Sequence, residues 1–325
     1  MHETHLATRT IAMSALDAGS GPLVLLLHGF PETKYAWRHQ VAALSDAGYR
    51  AVAPDMRGYG GSDAPERADQ YTAVHAVGDM VALLDGLDAA RAVIVGHDWG
   101  ATVAWQAAQM RPDRFRAVAA LSVPMMAPPP LPPSQLFPRS DEALFYTLYF
   151  GEPGLADAEF SRDPRQTLRK ILHAASGEAG PRAPGDNTPN PFGMVRRDVG
   201  LLADLPEPEA LPDWLPQSEF DRLAETFART GFTGGLNYYR NLDRNFELQQ
   251  AMAGARVTVP ALFLIGERDT GLAIPGMADI IAAMPDLVPD LRGSHVLPGA
   301  GHWLQQERAA EVSEALVAFL REIDR

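Results

Sequence analysis

The apolar run Ala92-Val93-Ile94-Val95 leads into Gly96-His97-Asp98-Trp99-Gly100, which leads in turn into Ala101-Thr102-Val103-Ala104-Trp105-Gln106-Ala107-Ala108. The three pieces read as a buried strand, a sharp turn and a helix. Gly96 and Gly100 frame the turn as in a Gly-x-Ser-x-Gly elbow, where small residues let strand and helix approach while one side chain is thrust upward. Here that side chain is Asp98.

Short apolar runs alternate with longer amphipathic stretches elsewhere, the pattern of an α/β fold with a mainly parallel sheet. Strands are expected at Thr8 to Ala15, Leu23 to Leu27, Arg50 to Ala53, Ala92 to Val95, Val118 to Ser122, Ala261 to Ile265 and Ser294 to Leu297. Val74, Val77, Val81, Leu84 and Leu87 recur at helical spacing. The alternation stops at Pro124, and from there to about Met252 no strand pattern recurs. Loops such as Ala127-Pro128-Pro129-Pro130-Leu131-Pro132-Pro133 are too rich in proline for regular structure. The expectation is a helical lid over residues 125–251, entered through an ordered Pro-rich loop and inserted into a core made of 1–124 and 252–325. A disordered linker is disfavoured, because Phe145, Tyr146, Tyr149, Phe150, Phe227, Phe232, Tyr238 and Tyr239 supply too much apolar surface.

The chain has 325 residues, 46% of them hydrophobic, enough for a substantial core. A formal charge of -13, spread thinly, argues against a nucleic-acid partner. The absence of cysteine removes disulfides, thiolate catalysis and zinc-thiolate sites. Met1-His2-Glu3-Thr4-His5 lacks a basic region followed by an apolar core, and no run reaches the length of a membrane span. A soluble cytoplasmic protein is expected.

A carboxylate at the elbow restricts the chemistry. Serine must be deprotonated to attack, whereas Asp98 is ionised near neutral pH, and the helix N-terminus behind it favours the charged form. Carboxylates are weak nucleophiles, suited to displacement at strained or activated sp3 carbon, such as an epoxide or alkyl halide. The alkyl ester so formed must then be hydrolysed by an activated water, which requires a base elsewhere. The plain alternative is an aspartate that caps a helix.

His28-Gly29-Phe30-Pro31 follows the run Leu23 to Leu27 and so lies at a strand's C-terminal end, where open α/β sheets build their sites. This loop can supply the Phe30 N–H to an oxyanion hole whose second donor is the amide of Trp99. His28 reads as a residue that shapes the turn by internal hydrogen bonds, not as a proton carrier. Asp55-Met56-Arg57-Gly58-Tyr59-Gly60-Gly61-Ser62-Asp63 reads as scaffold, its charges pairing within the loop. Asp269 ends Leu262-Phe263-Leu264-Ile265-Gly266-Glu267-Arg268-Asp269, and His302 lies in Pro298-Gly299-Ala300-Gly301-His302 after the last strand. Nucleophile, acid, histidine is the chain order of α/β-hydrolase triads, in which the acid holds the imidazole tautomer while the histidine takes a proton from water. Asp269 reads equally as a turn residue or helix N-cap. Glu267 is a weaker candidate acid, and His295, inside the last strand, reads as a packing residue. After the earlier strand, Leu121-Ser122-Val123-Pro124 offers no acid.

Together, His28-Gly29-Phe30-Pro31, Gly96-His97-Asp98-Trp99-Gly100, Asp269 and Gly301-His302-Trp303 resemble the soluble epoxide hydrolases of the α/β-hydrolase superfamily. The likeness is to the bacterial type, without the N-terminal phosphatase domain of some vertebrate members. Phe145-Tyr146-Thr147-Leu148-Tyr149-Phe150-Gly151-Glu152-Pro153-Gly154 and Gly231-Phe232-Thr233-Gly234-Gly235-Leu236-Asn237-Tyr238-Tyr239-Arg240-Asn241 resemble the family's two lid-tyrosine segments, so the likeness covers nearly the whole chain. By the family's pattern the functional tyrosines are Tyr146, six residues before Glu152, and Tyr239, immediately before Arg240. Thr147 departs from the glutamine of some vertebrate relatives and Tyr238 from a tryptophan, which bears on substrate fit. The resemblance implies an α/β-hydrolase fold with an inserted helical lid, no cofactor and no metal. It also implies a small hydrophobic epoxide as substrate, a vicinal diol as product, and a monomer or homodimer. Pro31, Trp99, Thr147 and Trp303 are candidates to line the pocket. Opening an epoxide leaves an alkoxide, which two phenols can stabilise without carrying permanent charge. Tyr149 and Tyr238 read as ordinary lid core residues.

The nearest rival is a haloalkane dehalogenase, which uses the same aspartyl ester but must stabilise a departing halide. In that group one donor is the Trp after the nucleophile, which Trp99 can provide, and the other is an Asn in the oxyanion loop or a lid Trp. Phe30 occupies the loop position, and Trp214 is the lid's only tryptophan. An ordinary esterase needs serine at position 98, and a fluoroacetate dehalogenase arginine at 99. A non-catalytic binder on the same fold is disfavoured by the intact set Asp98, Asp269 and His302, although fold alone never fixes function.

Overall fold

The apolar runs become the centre of one eight-stranded sheet in the computed structural model, which describes residues 1–179 and 193–325. Its strands are β1 (His2–Ala7), β2 (Ala12–Ala18), β3 (Leu23–Leu27), β4 (Arg50–Pro54), β5 (Ala92–His97), β6 (Phe115–Leu121), β9 (Ala261–Gly266) and β10 (Leu291–Leu297). Their spatial order is β1-β2-β4-β3-β5-β6-β9-β10. β2 runs antiparallel to both neighbours, and every later pairing is parallel. β3, β5 and β9 are buried along their whole length, as parallel strands covered on both faces must be.

The two-residue period of the strands divides the core. Leu25, Leu27, Ile94, Val118 and Phe263 face one cluster, with α2 (Ala73–Gly86) and α3 (Trp99–Met110). Val24, Leu26, Val93, Val95 and Leu264 face the other, closed by α1 (Arg38–Asp46) and α13 (Ala309–Ile323) through Val41, Leu44, Leu316 and Phe319. Val77, Val81 and Leu84 bury the predicted stripe of α2, whereas Val74 is exposed.

Between β6 and β9 lies the helical insertion. It carries α4 (Pro133–Leu136), α5 (Tyr146–Gly151), α6 (Leu155–Phe160), α7 (Pro164–Ala175), α8 (Gln217–Thr230), α9 (Thr233–Arg240) and α10 (Leu242–Gln249). After β9 come α11 (Met277–Leu287) and, following β10, α12 (Leu304–Glu307). α7 begins where Asp163 accepts the Gln166 N–H at 3.0 Å with Pro164 as first helical residue, a favourable start on both counts. Its Leu168, Ile171, Leu172 and Ala175 then recur on one buried face. Of the aromatics expected to give the lid a core, all are buried except Tyr146, which is partly so.

Four local expectations are corrected. The run Thr8 to Ala15 is not one strand: Thr8 and Ile11 close a turn, with the Thr8 hydroxyl donating to the Ile11 carbonyl at 2.8 Å, and β1 folds back on β2. The insertion is not free of strands, since β7 (Ala143–Phe145) pairs antiparallel with β8 (Met194–Arg196). Segments of three residues are too short to show alternation. His295 does not pack in a core, because β10 is the edge strand and this side chain is exposed. The charges of the loop 55–63 pair mainly outside it. Asp55 accepts from Lys34 Nζ at 2.7 Å, and Arg57 makes a bidentate pair with Asp79 of α2 at 2.6 Å on both arms.

Arg57 and Asp79 are 4% and 1% exposed, so breaking that pair strands a buried guanidinium. Asp79→Asn is expected to lose about 3–5 kcal/mol of stability. A denaturant titration should show a lowered midpoint with an unchanged slope; a midpoint equal to that of the wild type would contradict this role.

Candidate active site

Leu27, Gly96, Ala120 and Phe263 stand side by side in the sheet, and Gly266 is level with Leu297. The loops that leave β3, β5, β6, β9 and β10 therefore open along one edge, the carboxyl end of the parallel strands. Asp98 sits at the elbow with φ 51° and ψ -120°, a conformation that costs a non-glycine residue about 1–3 kcal/mol. The two limbs of the elbow approach closely: a Cβ on Gly96 would lie 2.1 Å from the Gly100 carbonyl oxygen. Although Asp98 is the N-cap residue of α3, its side chain caps nothing there. Its Oδ1 instead accepts the Phe30 N–H at 2.8 Å.

His302 Nδ1 lies 3.1 and 3.2 Å from the two oxygens of Asp269, and Nε2 lies 3.6 Å from Asp98 Oδ2. Asp269 is fully buried, and its Oδ1 also accepts the Gly271 N–H at 2.8 Å. The turn-capping and histidine-pairing readings are thus both true of it. Glu267 is exposed and accepts the Gly299 N–H at 2.9 Å, away from the imidazole. Burial opposes charge on all three groups, but their mutual attraction outweighs it. His302 is pushed up to about 10 by Asp269 and Asp98 against the desolvation that would lower it. Both aspartates are lowered by His302, again against desolvation, with the Phe30 N–H assisting Asp98.

A second tier of residues, not singled out in the sequence, fixes this geometry from behind. His97 lies between Glu32, 2.8 Å from Nδ1, and the His302 carbonyl, 2.8 Å from Nε2. Ser122 donates to that same carbonyl at 3.0 Å, and Gln305 and Gln306 donate to Glu32 at 2.9 and 2.8 Å. Glu32 directly follows Pro31, and His97 stands inside the elbow, so their positions beside known motifs were the available signal. His28 is buried, with Nδ1 2.9 Å from the Gly29 carbonyl and Nε2 accepting the Met56 N–H at 3.0 Å. Burial lowers its pKa, and both ring nitrogens are committed to the turn.

The insertion closes the site with aromatics. The Tyr239 ring is 5.1 Å from Trp99, 5.8 Å from Phe30, 5.0 Å from Phe150 and 6.4 Å from Tyr146. Tyr146 follows β7, and its N–H donates to the Gly193 carbonyl at 2.9 Å. Burial raises the pKa of both phenols, and the negative charge of Asp98 raises it further. Both therefore stay protonated O–H donors at neutral pH. Tyr149 and Tyr238 are engaged elsewhere, donating to Glu159 at 2.8 Å and to the Arg57 carbonyl at 3.2 Å. Pro31 follows a cis peptide in the loop after β3, and Thr147 is buried on α5. Trp303 is fully buried, its ring 4.8 Å from His302 and its indole N–H donating to the Leu172 carbonyl at 2.9 Å. Trp214 lies beside Arg38, which reaches its carbonyl at 3.5 Å. Among the described residues, no helix is long and apolar enough to cross a membrane.

This sheet order, with an elbow after β5, an acid after β9 and a histidine after β10, defines an α/β hydrolase, and the family model described as alpha/beta hydrolase fold matches residues 22–309. The chain is 46% identical over 319 residues to Epoxide hydrolase A of Mycobacterium tuberculosis, covering 96% of this chain and 95% of that protein. It is 41% identical to Epoxide hydrolase 2 of Siraitia grosvenorii, covering 99% and 98%. Among solved structures, an epoxide hydrolase from an endophytic Streptomyces superposes with a TM-score of 0.94 at 40% identity, covering 99% of this chain and 96% of the other. The chain belongs to the epoxide hydrolase family of the α/β hydrolases.

A folded-state pKa of about 10 for His302, above the roughly 6.5 of a free imidazole, fixes the sign of its linkage to stability. The contribution is fully present below about pH 6.5 and is lost as pH rises through about 10. Asp98→Asn removes one of the two anions and should lower the His302 midpoint, followed by NMR of the imidazole ring. An unshifted midpoint would show that Asp98 does not hold the proton.

Proposed function

We propose that the protein hydrolyses a small apolar epoxide to a vicinal diol through a covalent ester on Asp98, with residues 125–251 as the lid over a core of 1–124 and 252–325. The observation that carries this reading is an elbow carboxylate, free of capping duty, that faces one imidazole at 3.6 Å and whose charge also bears on two adjacent lid phenols. The carboxylate supplies a nucleophile for carbon, and the phenols supply donors for an oxygen leaving group. The relatives, themselves named epoxide hydrolases, point the same way.

With Oδ1 held by Phe30, Oδ2 is the attacking oxygen. It forms a bond to an epoxide carbon, and the breaking C–O bond leaves its electron pair on the ring oxygen. Tyr146 and Tyr239 donate hydrogen bonds to that oxygen, and one phenol gives it a proton, later replaced by the proton of the His302 imidazolium. Ester formation has meanwhile cancelled the charge of Asp98, one of the two anions that raised the imidazole's proton affinity. His302 thereby becomes a neutral base, oriented by Asp269. It takes one proton from water as the oxygen attacks the ester carbonyl, and the Phe30 and Trp99 amides hold the resulting oxyanion. Collapse breaks the acyl C–O bond, the second water proton passes to the departing diol oxygen, and the resting ion pair returns. Trp99, Pro31, Thr147 and Trp303 are assigned to the pocket wall.

Incubation with styrene oxide and with a bromoalkane should yield diol from the first and little bromide from the second; bromide release without diol would overturn the assignment in favour of dehalogenation. In a single turnover in heavy-oxygen water, the first diol should carry unlabelled oxygen from Asp98. Immediate full labelling would mean direct attack by water.

The phenols are tested separately. Tyr239→Phe keeps the ring packing and removes one donor, so epoxide opening should slow by about 10²-fold. Rapid-quench kinetics would read this step, and an unchanged rate would return Tyr239 to the lid core.

A further inference from the structure

The loop that carries His302 is held by a carboxylate outside the site. Glu307, the last residue of α12, accepts three backbone N–H groups: Gly301 at 2.8 Å and Gly177 at 2.9 Å on Oε2, and Trp303 at 3.0 Å on Oε1. Two of these donors flank His302 in the chain. The third belongs to the insertion, just beyond the end of α7.

The same two segments are stitched at two further points, and the loop after β9 adds a third hold on the insertion. The His302 N–H donates to the Ala175 carbonyl at 2.9 Å, Arg268 reaches the Gly177 carbonyl at 2.8 Å, and the Trp303 indole reaches the Leu172 carbonyl at 2.9 Å. Their backbones are in direct contact, for a Cβ on Gly301 would lie 2.2 Å from the Gly177 nitrogen. Hydrogen bonds to an ionised acceptor are the strong ones, and a carboxylate with two oxygens can satisfy three amides where a neutral amide side chain cannot.

We propose that Glu307 is a positioning residue for His302, clamping the amides on either side of it and locking its loop to the foot of the lid through Gly177. This rests on the reading of Asp98 as nucleophile and His302 as base. The two chemical steps depend on the clamp unequally. Attack by Asp98 uses a carboxylate set by the elbow and by the Phe30 N–H on another loop. Ester hydrolysis needs a water placed between the ester and Nε2, and a misplacement of about 1 Å can cost 10²-fold. Loosening the loop should therefore slow the second step and spare the first.

The test is Glu307→Gln in the full-length enzyme with styrene oxide, by rapid quench and by steady-state kinetics. Ester hydrolysis should fall by about 10- to 100-fold while epoxide opening changes by less than about threefold. The ester should then accumulate on the peptide containing Asp98, with kcat and KM falling together and kcat/KM retained. General damage to the fold would lower kcat/KM instead, and that outcome, or unchanged hydrolysis, overturns the proposal. The hydrolysis rate should also stay low on its high-pH plateau; full recovery there would mean that only a charge was lost, which overturns positioning too. If Glu307→Gln does not fold, Glu307→Asp keeps two acceptor oxygens on a shorter stem and is judged by the same split, with a milder loss. Wild-type enzyme that forms no ester on Asp98 would overturn the functional reading and this inference with it, whereas a normal wild-type ester with unchanged variant hydrolysis overturns this inference alone.

Discussion

Two carboxylates sharing one imidazole in a largely desolvated pocket impose the main constraint on this molecule. Each of Asp98, Asp269 and His302 is opposed by burial when charged; the two aspartates together keep His302 charged, and His302 keeps each aspartate charged. Such a set is stable only if its geometry is close, because removing one partner leaves an uncompensated buried charge. The three groups leave three different strands, so the parallel register of β5, β9 and β10 has to be correct before the site exists at all. The same pocket is roofed by the Tyr239, Phe150, Phe30 and Trp99 rings, whose apolar packing keeps out the water that would otherwise screen the charges.

One negative charge then does several things at once. While Asp98 is a free carboxylate, it holds the His302 proton and adds to the burial that already keeps the Tyr146 and Tyr239 phenols protonated. Under the ester mechanism proposed above, forming the ester would cancel that charge and release the imidazole for base chemistry at the stage that needs a base.

Legibility in the sequence followed the range of the interaction. The elbow, the strands beneath it and the histidine after the last strand were readable because each depends on neighbours in the chain: apolar runs, framing glycines and a loop at a strand end. The lid tyrosines were picked out through a family pattern, since an aromatic in a helical insertion has no local mark of function. Glu32, His97 and Ser122 escaped because their meaning lies in partners far along the chain; His97 and the His302 carbonyl are 205 residues apart. The misread segments failed for local reasons of another kind. A threonine hydroxyl closing a turn at Thr8 takes the first half of one expected strand, and three-residue strands such as β7 carry too little pattern to be seen.

The site also gathers costs that the rest of the fold must offset. Asp98 occupies a strained backbone conformation, and several buried ions surround it. Surface ion pairs are too weakly coupled to compensate, and the hydrogen bonds nearest the site answer the problem in place. Lys34 and Asp55 brace the loop after β3 against β4, Glu32 and His97 brace the elbow against the His302 carbonyl, and Arg57 and Asp79 brace the next loop against α2. The first two braces hold loops that carry the site, and the third ties the neighbouring scaffold loop to α2. Of these braces, the one at His97 lies within the elbow itself and holds the residue next to the strained Asp98.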